Sequence, residues 1–421
     1  MKNFVLFMIV FALISACNPK PKETIEQDKD NAELKLPEGF SALVYADDIG
    51  NARHLAINDN GDVYVSLSRL KNNGGVVCLR DEDKNGRADL IKYTGKFEGT
   101  GILIHDGYLY FGVDTMIIRY KLNQGEFMPA ENYEVIAGGF GAQSQHAAKT
   151  FTFDKQENMY VNVGAPSNAC QENDRTKGSP GMDPCPILEL HGGIWRFKAG
   201  QLNQDQKKDG YRFATGIRNA VAISWNNKEN KLYALQHGRD QLSQLYPQYY
   251  TDLQGAELPA EEFLLVEEGS NFGWPYCYYD GKQKKKVLGP EYGGDGVKVD
   301  RCTSSNDPIM AFPGHLAPND VLFYTGDMFP EKYKNGAFIA FHGSWNRAPE
   351  PQEGFYVAFV PFKGSVPEGE WEIFASGFSG VDKINSPNDA KHRPCGLAQA
   401  PDGSLFVSDD AKGRIYRIMY Q

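Results

Sequence analysis

Short runs of alternating hydrophobic and polar residues, separated by turns rich in Asn, Asp and Gly, recur through most of the chain. In each unit a first strand leads through a polar corner into a second strand of Tyr, Val, Phe and small residues. Asn-Gly and Asp-Gly corners accept positive φ without strain and are typical of tight β-hairpins. Six units are present, at residues 52–67, 99–113, 145–164, 217–238, 319–344 and 393–410.

Six similar units with about four strands each predict an all-β fold, a six-bladed β-propeller. A sandwich or an open sheet would not explain six similar units. The run FSALVY at residues 40–45 is placed to complete the last blade and close the ring. We expect the propeller to occupy residues 35–421.

Composition and charge narrow the range of partners. The chain has 421 residues, of which 41% are hydrophobic, enough for a large core, and its formal net charge is −10. A run of three lysines at 284–286 is the one basic stretch that stands out, and a solvated loop explains it. An acidic chain of this kind argues against a nucleic acid partner.

The N-terminus has the pattern of an export signal. Lys2 precedes an apolar stretch at residues 4–14 that is too short to span a bilayer. The sequence that follows, Ile-Ser-Ala-Cys ending at Cys17, resembles the lipobox of bacterial lipoproteins; the alternative is a plain signal peptide with a coincidental cysteine. We expect residues 1–16 to be removed, Cys17 to be acylated, and residues 17–34 to form a disordered tether. The protein would then be lipid-anchored in a bacterial cell envelope, facing the periplasm or the cell exterior.

Six cysteines remain after Cys17, an even number that fits disulfides in an exported protein. Pairing of Cys170 with Cys185, and of Cys277 with Cys302, would close two loops. Cys78 and Cys395 are left over, and they either pair with each other or remain free buried thiols.

Polar residues stand just before the first strand of each unit. In a propeller these innermost strands line a central channel, so the residues before them crowd one mouth of it. Three arginines and three histidines in this set are unusual for a chain of net charge −10, and buried cations need anions. The sequence therefore predicts an anionic ligand, although solvation of the channel would explain some of the polar residues, such as His54, Thr100 and Asn319. The set is Arg53, His54, Thr100, His146, Arg218, Asn219, His315, Asn319 and Arg393.

Seven motifs in a fixed order carry a resemblance to a known family. They are Gln145-His146, GIRN at 216–219, HGRD at 237–240, GSNFGWP at 269–275, YTGDMFP at 324–330, HGSWNR at 342–347 and RPCGLA at 393–398. Together they resemble the glucose/sorbosone dehydrogenase family of six-bladed propellers that use pyrroloquinoline quinone (PQQ). The resemblance extends from residue 37 to the C-terminus. It is strongest to the aldose and sorbosone dehydrogenase branch, which is related to fungal pyranose dehydrogenases.

The resemblance implies roles for the residues at the third and fourth inner strands. His146 matches the catalytic base that takes a proton from the anomeric hydroxyl while hydride goes to PQQ. Arg218 matches the arginine that polarises the quinone oxygen, and Gln145 and Asn219 fall beside the cofactor. Family members that oxidise glucose have an acid where this chain has Gln145, and another where it has Ala165. An amide cannot stabilise an imidazolium by charge, so the base is expected to be weaker here.

The resemblance also implies a calcium ion and contacts to the carboxylates of PQQ. The main-chain carbonyls of Gly238 and Arg239 match those that hold Ca²⁺ in the family, a cation that accepts neutral oxygen ligands readily. Arg393, together with Asn346 and Arg347, falls where the family places polar and cationic groups against the cofactor.

A separate loop, DEDKNGRAD at residues 81–89, has oxygen ligands at alternate positions and the turn glycine of a calcium-binding loop. It lacks the bidentate glutamate at the twelfth position, where Lys92 stands. The sequence leaves two interpretations open, a structural calcium site and a plain Asn-Gly hairpin.

The leading hypothesis is a PQQ-dependent oxidoreductase that oxidises an aldose, a pyranose or an aldehyde such as sorbosone. Its electrons would pass to a membrane quinone or a cytochrome. Two other classes stay open: a lactonase or related metal hydrolase, and a non-catalytic propeller that binds a sugar or another anionic ligand. A lactonase would need several acidic or amide side chains on a metal in the channel, whereas the predicted mouth is mostly basic.

Overall fold

Six antiparallel sheets of four or five strands surround a central channel in a computed structural model of the chain, which describes residues 25–421. The innermost strands of neighbouring sheets contact one another all the way around the ring. The six-bladed β-propeller predicted from the sequence is therefore confirmed, and each predicted unit supplies the two inner strands of one blade.

The first three blades follow the chain in order from the channel outward. Blade 1 contains β2 (Ala52–Ile57), β3 (Val63–Lys71), β4 (Gly74–Arg80) and β5 (Leu90–Thr94). Blade 2 contains β6 (Gly99–His105), β7 (Tyr108–Val113), β8 (Met116–Lys121) and β9 (Tyr133–Gly138). Blade 3 contains β10 (Phe151–Phe153), β11 (Asn158–Val163), β12 (Gly193–Lys198) and β14 (Tyr211–Thr215). The short β13 (Gln204–Asp205) pairs in parallel with β9 and widens blade 2 by one strand.

The remaining blades repeat this order, and two of them carry small hairpins. Blade 4 contains β15 (Ala222–Asn226), β16 (Lys231–Gln236), β17 (Glu261–Val266) and β20 (Met310–Phe312), with a hairpin of β18 (Cys277–Asp280) and β19 (Lys285–Leu288). Blade 5 contains β21 (Pro318–Phe323), β22 (Ala337–Phe341), β23 (Tyr356–Val360) and β26 (Glu372–Ala375), with a hairpin of β24 (Phe362–Lys363) and β25 (Val366–Pro367). Blade 6 contains β27 (Pro394–Gln399), β28 (Leu405–Asp409) and β29 (Ile415–Tyr420).

The N-terminal strand completes the last blade. Strand β1 (Phe40–Ala46) pairs antiparallel with β29, so blade 6 combines both ends of the propeller chain. The closure predicted from the FSALVY run is therefore confirmed. Pairing the first strand with the last blade closes the ring by main-chain hydrogen bonds and covers β29, so that β1 becomes the outer strand of blade 6.

Helices are few and short within residues 25–421. Two α-helices, α1 (Leu242–Leu245) and α2 (Asp252–Glu257), lie between β16 and β17. Single turns of 3₁₀-helix occur at Asn31–Glu33, Pro186–Glu189, Pro290–Tyr292, Asp300–Ser304, Glu331–Tyr333 and Pro387–Asp389. None of the described helices is long and apolar enough to cross a bilayer.

The hydrophobic core is divided among the six interfaces between neighbouring blades. Each interface holds its own cluster of buried aliphatic and aromatic residues. Between blades 4 and 5, for example, Tyr233, Phe263 and Phe341 are fully buried. Burying one such side chain contributes roughly 1.5–3 kcal/mol to the free energy of unfolding, so the interfaces hold the blades, and the loops they carry, in fixed positions.

The predicted N-terminal segments are covered only in part. The signal peptide at residues 1–16 and the acylated Cys17 lie outside the described residues, as does the tether up to residue 24. For residues 25–34 the prediction of a disordered tether is wrong, because Ala32 and Leu34 are buried against blades 5 and 6. In addition, a carboxylate oxygen of Asp28 accepts a hydrogen bond from Arg87 Nη2 at 2.5 Å. The end of this segment is therefore part of the packed domain.

Two disulfides close the two predicted loops, Cys170–Cys185 and Cys277–Cys302. Of the two alternatives for Cys78 and Cys395, the free buried thiols are confirmed and the disulfide between them is wrong. Burial raises the pKa of both thiols, that of Cys395 to about 12, so they remain protonated at neutral pH.

Candidate active site

The polar residues that precede the inner strands of four blades lie at one end of the channel. Because every blade runs from its inner to its outer strand in the same order, the inner strands all begin at the same end of the channel. His146 lies just before β10, Arg218 and Asn219 before β15, His315 before β21 and Arg393 before β27.

The imidazole of His146 is fixed in one tautomer. Its Nδ1 lies 2.6 Å from the carbonyl oxygen of Ala165, which can only accept, so Nδ1 carries the proton. In the neutral ring Nε2 then has a free lone pair, and it makes no hydrogen bond with any of residues 25–421. Burial, and after it the positive charge of Arg218, lowers the pKa of His146 to about 3. A neutral histidine with a free Nε2 is a base ready to accept a proton.

Close backbone packing holds His146 against the next blade. His146 has a φ of 52°, a left-handed conformation that histidine tolerates better than most residues. A Cβ atom on Gly164 would lie 2.7 Å from both the His146 Cβ and the Asn219 Oδ1, so only glycine fits there. Ala165 continues the link, because its amide nitrogen donates to the carbonyl of Arg218 at 2.8 Å. The base and the arginine are therefore joined through one residue.

Arg218 is almost completely enclosed, with 3% of its surface exposed. Its Nη2 donates to Asp240 Oδ2 at 2.7 Å and to Asn168 Oδ1 at 3.1 Å, and its Nη1 donates to the carbonyl of Gly238 at 2.9 Å. Burial lowers the pKa of Arg218, yet the guanidinium stays charged because its ordinary pKa is so high. The result is a rigid positive charge beside His146.

Asp240 binds three polar side chains of the mouth, Arg218 among them. Its Oδ2 accepts from Arg175 Nη2 as well as from Arg218, both at 2.7 Å, and its Oδ1 accepts from Asn346 Nδ2 at 2.7 Å. His315 Nδ1 lies 3.9 Å from Oδ1. Burial alone would raise the pKa of Asp240, but Arg218, His315 and Arg175 together outweigh it and hold the pKa well below its usual range. The motif HGRD contained this residue, but sequence reasoning gave it no role.

The disulfide-closed loop between Cys170 and Cys185 also reaches the mouth, which the sequence did not predict. Gln145 Oε1 accepts from Arg175 Nη2 at 3.1 Å, and Gln145 Nε2 donates to Asp174 Oδ2 at 3.0 Å. The amide of Gln145 is therefore engaged by this loop, and the tautomer of His146 is held by the carbonyl of Ala165 instead. The only indication of these contacts in the sequence is the adjacent pair Asp174-Arg175 within this loop.

A second cluster on the other side of the mouth centres on Asp410. Its Oδ2 accepts from Arg53 Nη1 at 2.7 Å, and its Oδ1 lies 2.8 Å from His342 Nε2. Arg393 Nη2 donates to His342 Nδ1 at 2.9 Å and to the carbonyl of Gly343 at 2.6 Å. Among residues 25–421 no carboxylate lies within 4.0 Å of the Arg393 guanidinium. Arg393 is therefore a partly buried cation that the protein does not neutralise directly.

These pairings correct the argument for an anionic ligand. Of the three arginines predicted at the mouth, Arg53 and Arg218 each have an aspartate partner of the protein. Only Arg393 remains a buried cation that needs an external anion. His54 and His315 are also satisfied internally, since each donates from Nε2 to backbone carbonyls.

Comparison with known proteins decides the family. The family model described as TrAA12-like matches residues 34–421. The chain belongs to the TrAA12-like family. An uncharacterized protein of Borreliella burgdorferi (strain B31) is 30% identical to it, and the alignment covers 94% of each chain. The match to the family model confirms the resemblance drawn from the seven motifs.

Two further comparisons relate this TrAA12-like chain to a fungal enzyme. It is 26% identical to the pyrroloquinoline quinone-dependent pyranose dehydrogenase of Coprinopsis cinerea over 57% of its own length, which spans 36% of that longer protein. The solved holo form of that enzyme's PQQ domain superposes with a TM-score of 0.71 at 19% identity, covering 92% of this chain and 97% of the domain. The superposition shows that the fold is shared.

The residues of this TrAA12-like chain fit an anionic quinone cofactor at the mouth. Arg393 offers a guanidinium without a carboxylate partner. The buried Oδ1 of Asn346 has no hydrogen-bond partner in the described chain and could accept from an N–H or O–H group of a ligand. The side-chain nitrogen of Asn219 likewise makes no hydrogen bond with residues 25–421, while its Oδ1 accepts from Asn162. Asn219 packs beside His146 at Gly164, Asn346 shares Asp240 with Arg218, and Arg393 precedes the inner strand of blade 6 at the same end of the channel.

The predicted calcium ligands Gly238 and Arg239, and the predicted cofactor-binding residue Arg347, are less well suited to these roles. The carbonyl of Gly238 already accepts from Arg218, and the carbonyl of Arg239 accepts no hydrogen bond within residues 25–421. Two carbonyls are fewer than the six to eight oxygens that Ca²⁺ takes, so an ion here would need oxygens of a cofactor or water. The Arg347 guanidinium is buried and uses its donors on Glu257 and backbone carbonyls. The structure therefore gives Arg347 a packing role and no free donor for the cofactor.

Proposed function

We propose that this protein is a PQQ-dependent dehydrogenase that oxidises the anomeric hydroxyl of an aldose or pyranose, or an aldehyde such as sorbosone. The observation that carries the proposal is the neutral His146, held by Ala165 with its Nε2 free, directly beside the enclosed charge of Arg218. Oxidation of the anomeric carbon needs a base for the hydroxyl proton and a fixed positive charge where the hydride is accepted, and this mouth of the channel holds both. Membership in the TrAA12-like family supports the same assignment.

The residues divide the work as follows. PQQ, when bound, supplies an ortho-quinone that accepts two electrons as hydride. His146 Nε2 takes the proton of the substrate hydroxyl, and the Ala165 carbonyl stabilises the imidazolium that results by accepting from Nδ1. Arg218 keeps its positive charge in place without reorganisation, because Asp240 and Asn168 hold the guanidinium. Arg393, Asn219 and Asn346 would bind the cofactor, and the carbonyls of Gly238 and Arg239 would share a calcium ion with it.

The low pKa of His146 has two opposite consequences. It keeps Nε2 unprotonated at neutral pH, so the base is available in every molecule. It also limits how strongly the ring holds a proton, in line with the weaker base expected from Gln145 and Ala165. An anionic cofactor bound beside the ring would raise this pKa and strengthen the base.

The cellular setting is part of the proposal. Acylation at Cys17 would anchor the protein to a membrane of the bacterial envelope, facing the periplasm or the cell exterior. A membrane quinone or a cytochrome would then accept the electrons. Within residues 25–421 the only group of three or more converging His, Cys, Asp or Glu side chains is Asp81, Asp83 and Asp89, in blade 1.

The proposal is tested by reconstitution of the full chain with PQQ and CaCl₂. We expect the protein to bind PQQ, and we expect added aldoses or keto-aldehydes to bleach the absorbance of the oxidised cofactor. Methyl glycosides of the same sugars, which lack a free anomeric hydroxyl, serve as matched controls and should leave the spectrum unchanged. Failure to bind PQQ would contradict the proposal and favour the non-catalytic interpretation. Binding without bleaching by any sugar or aldehyde would contradict the assigned reaction.

A further inference from the structure

An acidic loop far from the channel mouth joins the third and fourth strands of blade 1. Asp81, Asp83 and Asp89 each bring a carboxylate oxygen within 4.8 Å of the other two. Among residues 25–421 the one cation within 4.0 Å of them is Arg417, whose Nη1 is 4.0 Å from Asp81 Oδ2. Three converging carboxylates repel one another, but acidic residues often cluster at surfaces, so the cluster by itself identifies no ligand.

A buried tyrosine supplies an independent observation. Tyr45, on the closing strand β1, is only 3% exposed, and its hydroxyl forms no hydrogen bond with residues 25–421. Tyr45 and Asp81 line the same cavity of about 310 Å³, together with the cations Arg80, Lys84 and Arg417. Buried polar groups without partners are rare in folded proteins and usually mark an occupant.

The carboxylate of Asp81 is unsatisfied in the same place. Its Oδ2 accepts from the amide of Gly86 at 2.8 Å, but its Oδ1 is buried without a partner in the described chain. Asp81 on the loop has an acceptor without a partner, and Tyr45 on β1 has a donor without a partner; both residues line one cavity. A hydrated cation satisfies both groups at once, because the metal binds the carboxylate oxygen and its water accepts from the phenol.

We propose that the loop of residues 81–89 binds a structural calcium ion. Asp81 Oδ1 and one oxygen each from Asp83 and Asp89 are its carboxylate ligands, and the side chain of Asn85 and the carbonyl of Arg87 complete the alternate positions. Lys92 stands where a bidentate glutamate would add two oxygens, so water fills the remaining coordination sites and Tyr45 donates to it. With an incomplete ligand set we expect a Kd of about 10⁻⁴–10⁻³ M, the range of extracellular calcium modules.

The ion would stabilise the closure of the ring. The amide of Ala88 donates to the carbonyl of Tyr45 at 2.8 Å, and Arg87 Nη1 donates to the carbonyl of Val44 at 2.7 Å. Arg87 Nη2 also pairs with Asp28, at the start of the packed N-terminal segment. The loop thus holds the strand that joins the two ends of the propeller, and a cation that orders the loop stabilises that junction.

The test is a calorimetric titration of CaCl₂ into the EDTA-treated full chain without PQQ, together with its thermal unfolding. We expect saturable binding and a rise in Tm as calcium is added. The Asp83→Asn variant should weaken binding at least about tenfold and abolish the rise in Tm, since Asp83 is exposed and its loss leaves packing intact. Glu82→Gln removes the same charge from the same loop outside the cluster, and it should change Kd by less than about threefold.

Three results would overturn the proposal. One is the absence of binding and of any Tm shift up to about 10 mM calcium, which would leave ordinary buried water as the occupant of the cavity. Another is equal weakening by Glu82→Gln and Asp83→Asn, which would indicate diffuse charge attraction. The third is calcium binding that Asp83→Asn leaves unchanged, which would place the ion elsewhere, for example at Gly238 and Arg239.

Discussion

The His146→Asn variant should lose about 10²–10⁴-fold in kcat while it still binds PQQ, because it removes the proton acceptor and leaves the cationic groups untouched. Asparagine is preferable to alanine here, since it also tolerates the left-handed backbone that His146 adopts with a φ of 52°. The measurement is the rate of cofactor bleaching by a saturating aldose in the reconstituted full chain.

His105 offers a matched control for this variant. It lies at the far end of an inner strand, β6, where it stacks on Phe153 and pairs with Glu157 at 3.0 Å. The His105→Asn variant should keep the bleaching rate of the wild type. If His146→Asn also keeps that rate with PQQ bound, another group is the base and our assignment of the catalytic role is wrong.

The second large effect is expected from Asp240, which joins Arg218, Arg175 and Asn346. Replacing it with asparagine removes the charge that neutralises two arginines, one of them almost fully enclosed. Breaking a buried ion pair from one side costs about 3–5 kcal/mol, because the remaining charge is left uncompensated. We expect the free energy of unfolding of Asp240→Asn, measured by urea denaturation, to fall by that amount.

An exposed aspartate provides the reference for Asp240. Asp327 pairs with Lys334 at 3.2 Å, and its side chain is 98% exposed. Surface ion pairs contribute little to stability, so Asp327→Asn should leave the urea midpoint nearly unchanged. Equal effects of the two substitutions would show that the network around Asp240 does not stabilise the mouth of the channel.

The fold was predictable because its signals are local and repeated. Four of the six blades have an Asn-Gly or Asp-Gly hairpin corner, such as Asn60-Gly61 or Asp402-Gly403, and turn chemistry of this kind depends only on neighbouring residues. The disulfides at Cys170 and Cys277 followed from their position within single loops. The pairing of Cys78 with Cys395 rested on elimination alone, and the packing of the blades separates the two thiols.

The sequence predicts where the site residues lie along the chain and in the fold, but not which side chains they contact. Placement of His146, Arg218 and Arg393 at one mouth followed from the repeat, because each stands before an inner strand. The partners of these residues depend on loops from other blades, whose course the sequence pattern does not specify. For this reason the roles of Asp240 and Arg175, and the neutralisation of Arg218, became visible only in three dimensions.

The proposed reaction depends on one ring nitrogen, the free Nε2 of a neutral His146. Nitrogen-15 NMR of the histidine-labelled, cofactor-free chain tests it directly, with His146→Asn to assign the signals. We predict the tautomer with the proton on Nδ1 and no titration of this ring between about pH 5 and 8, since its pKa lies near 3. A titration midpoint near the ordinary histidine value, or a proton on Nε2, would contradict the account.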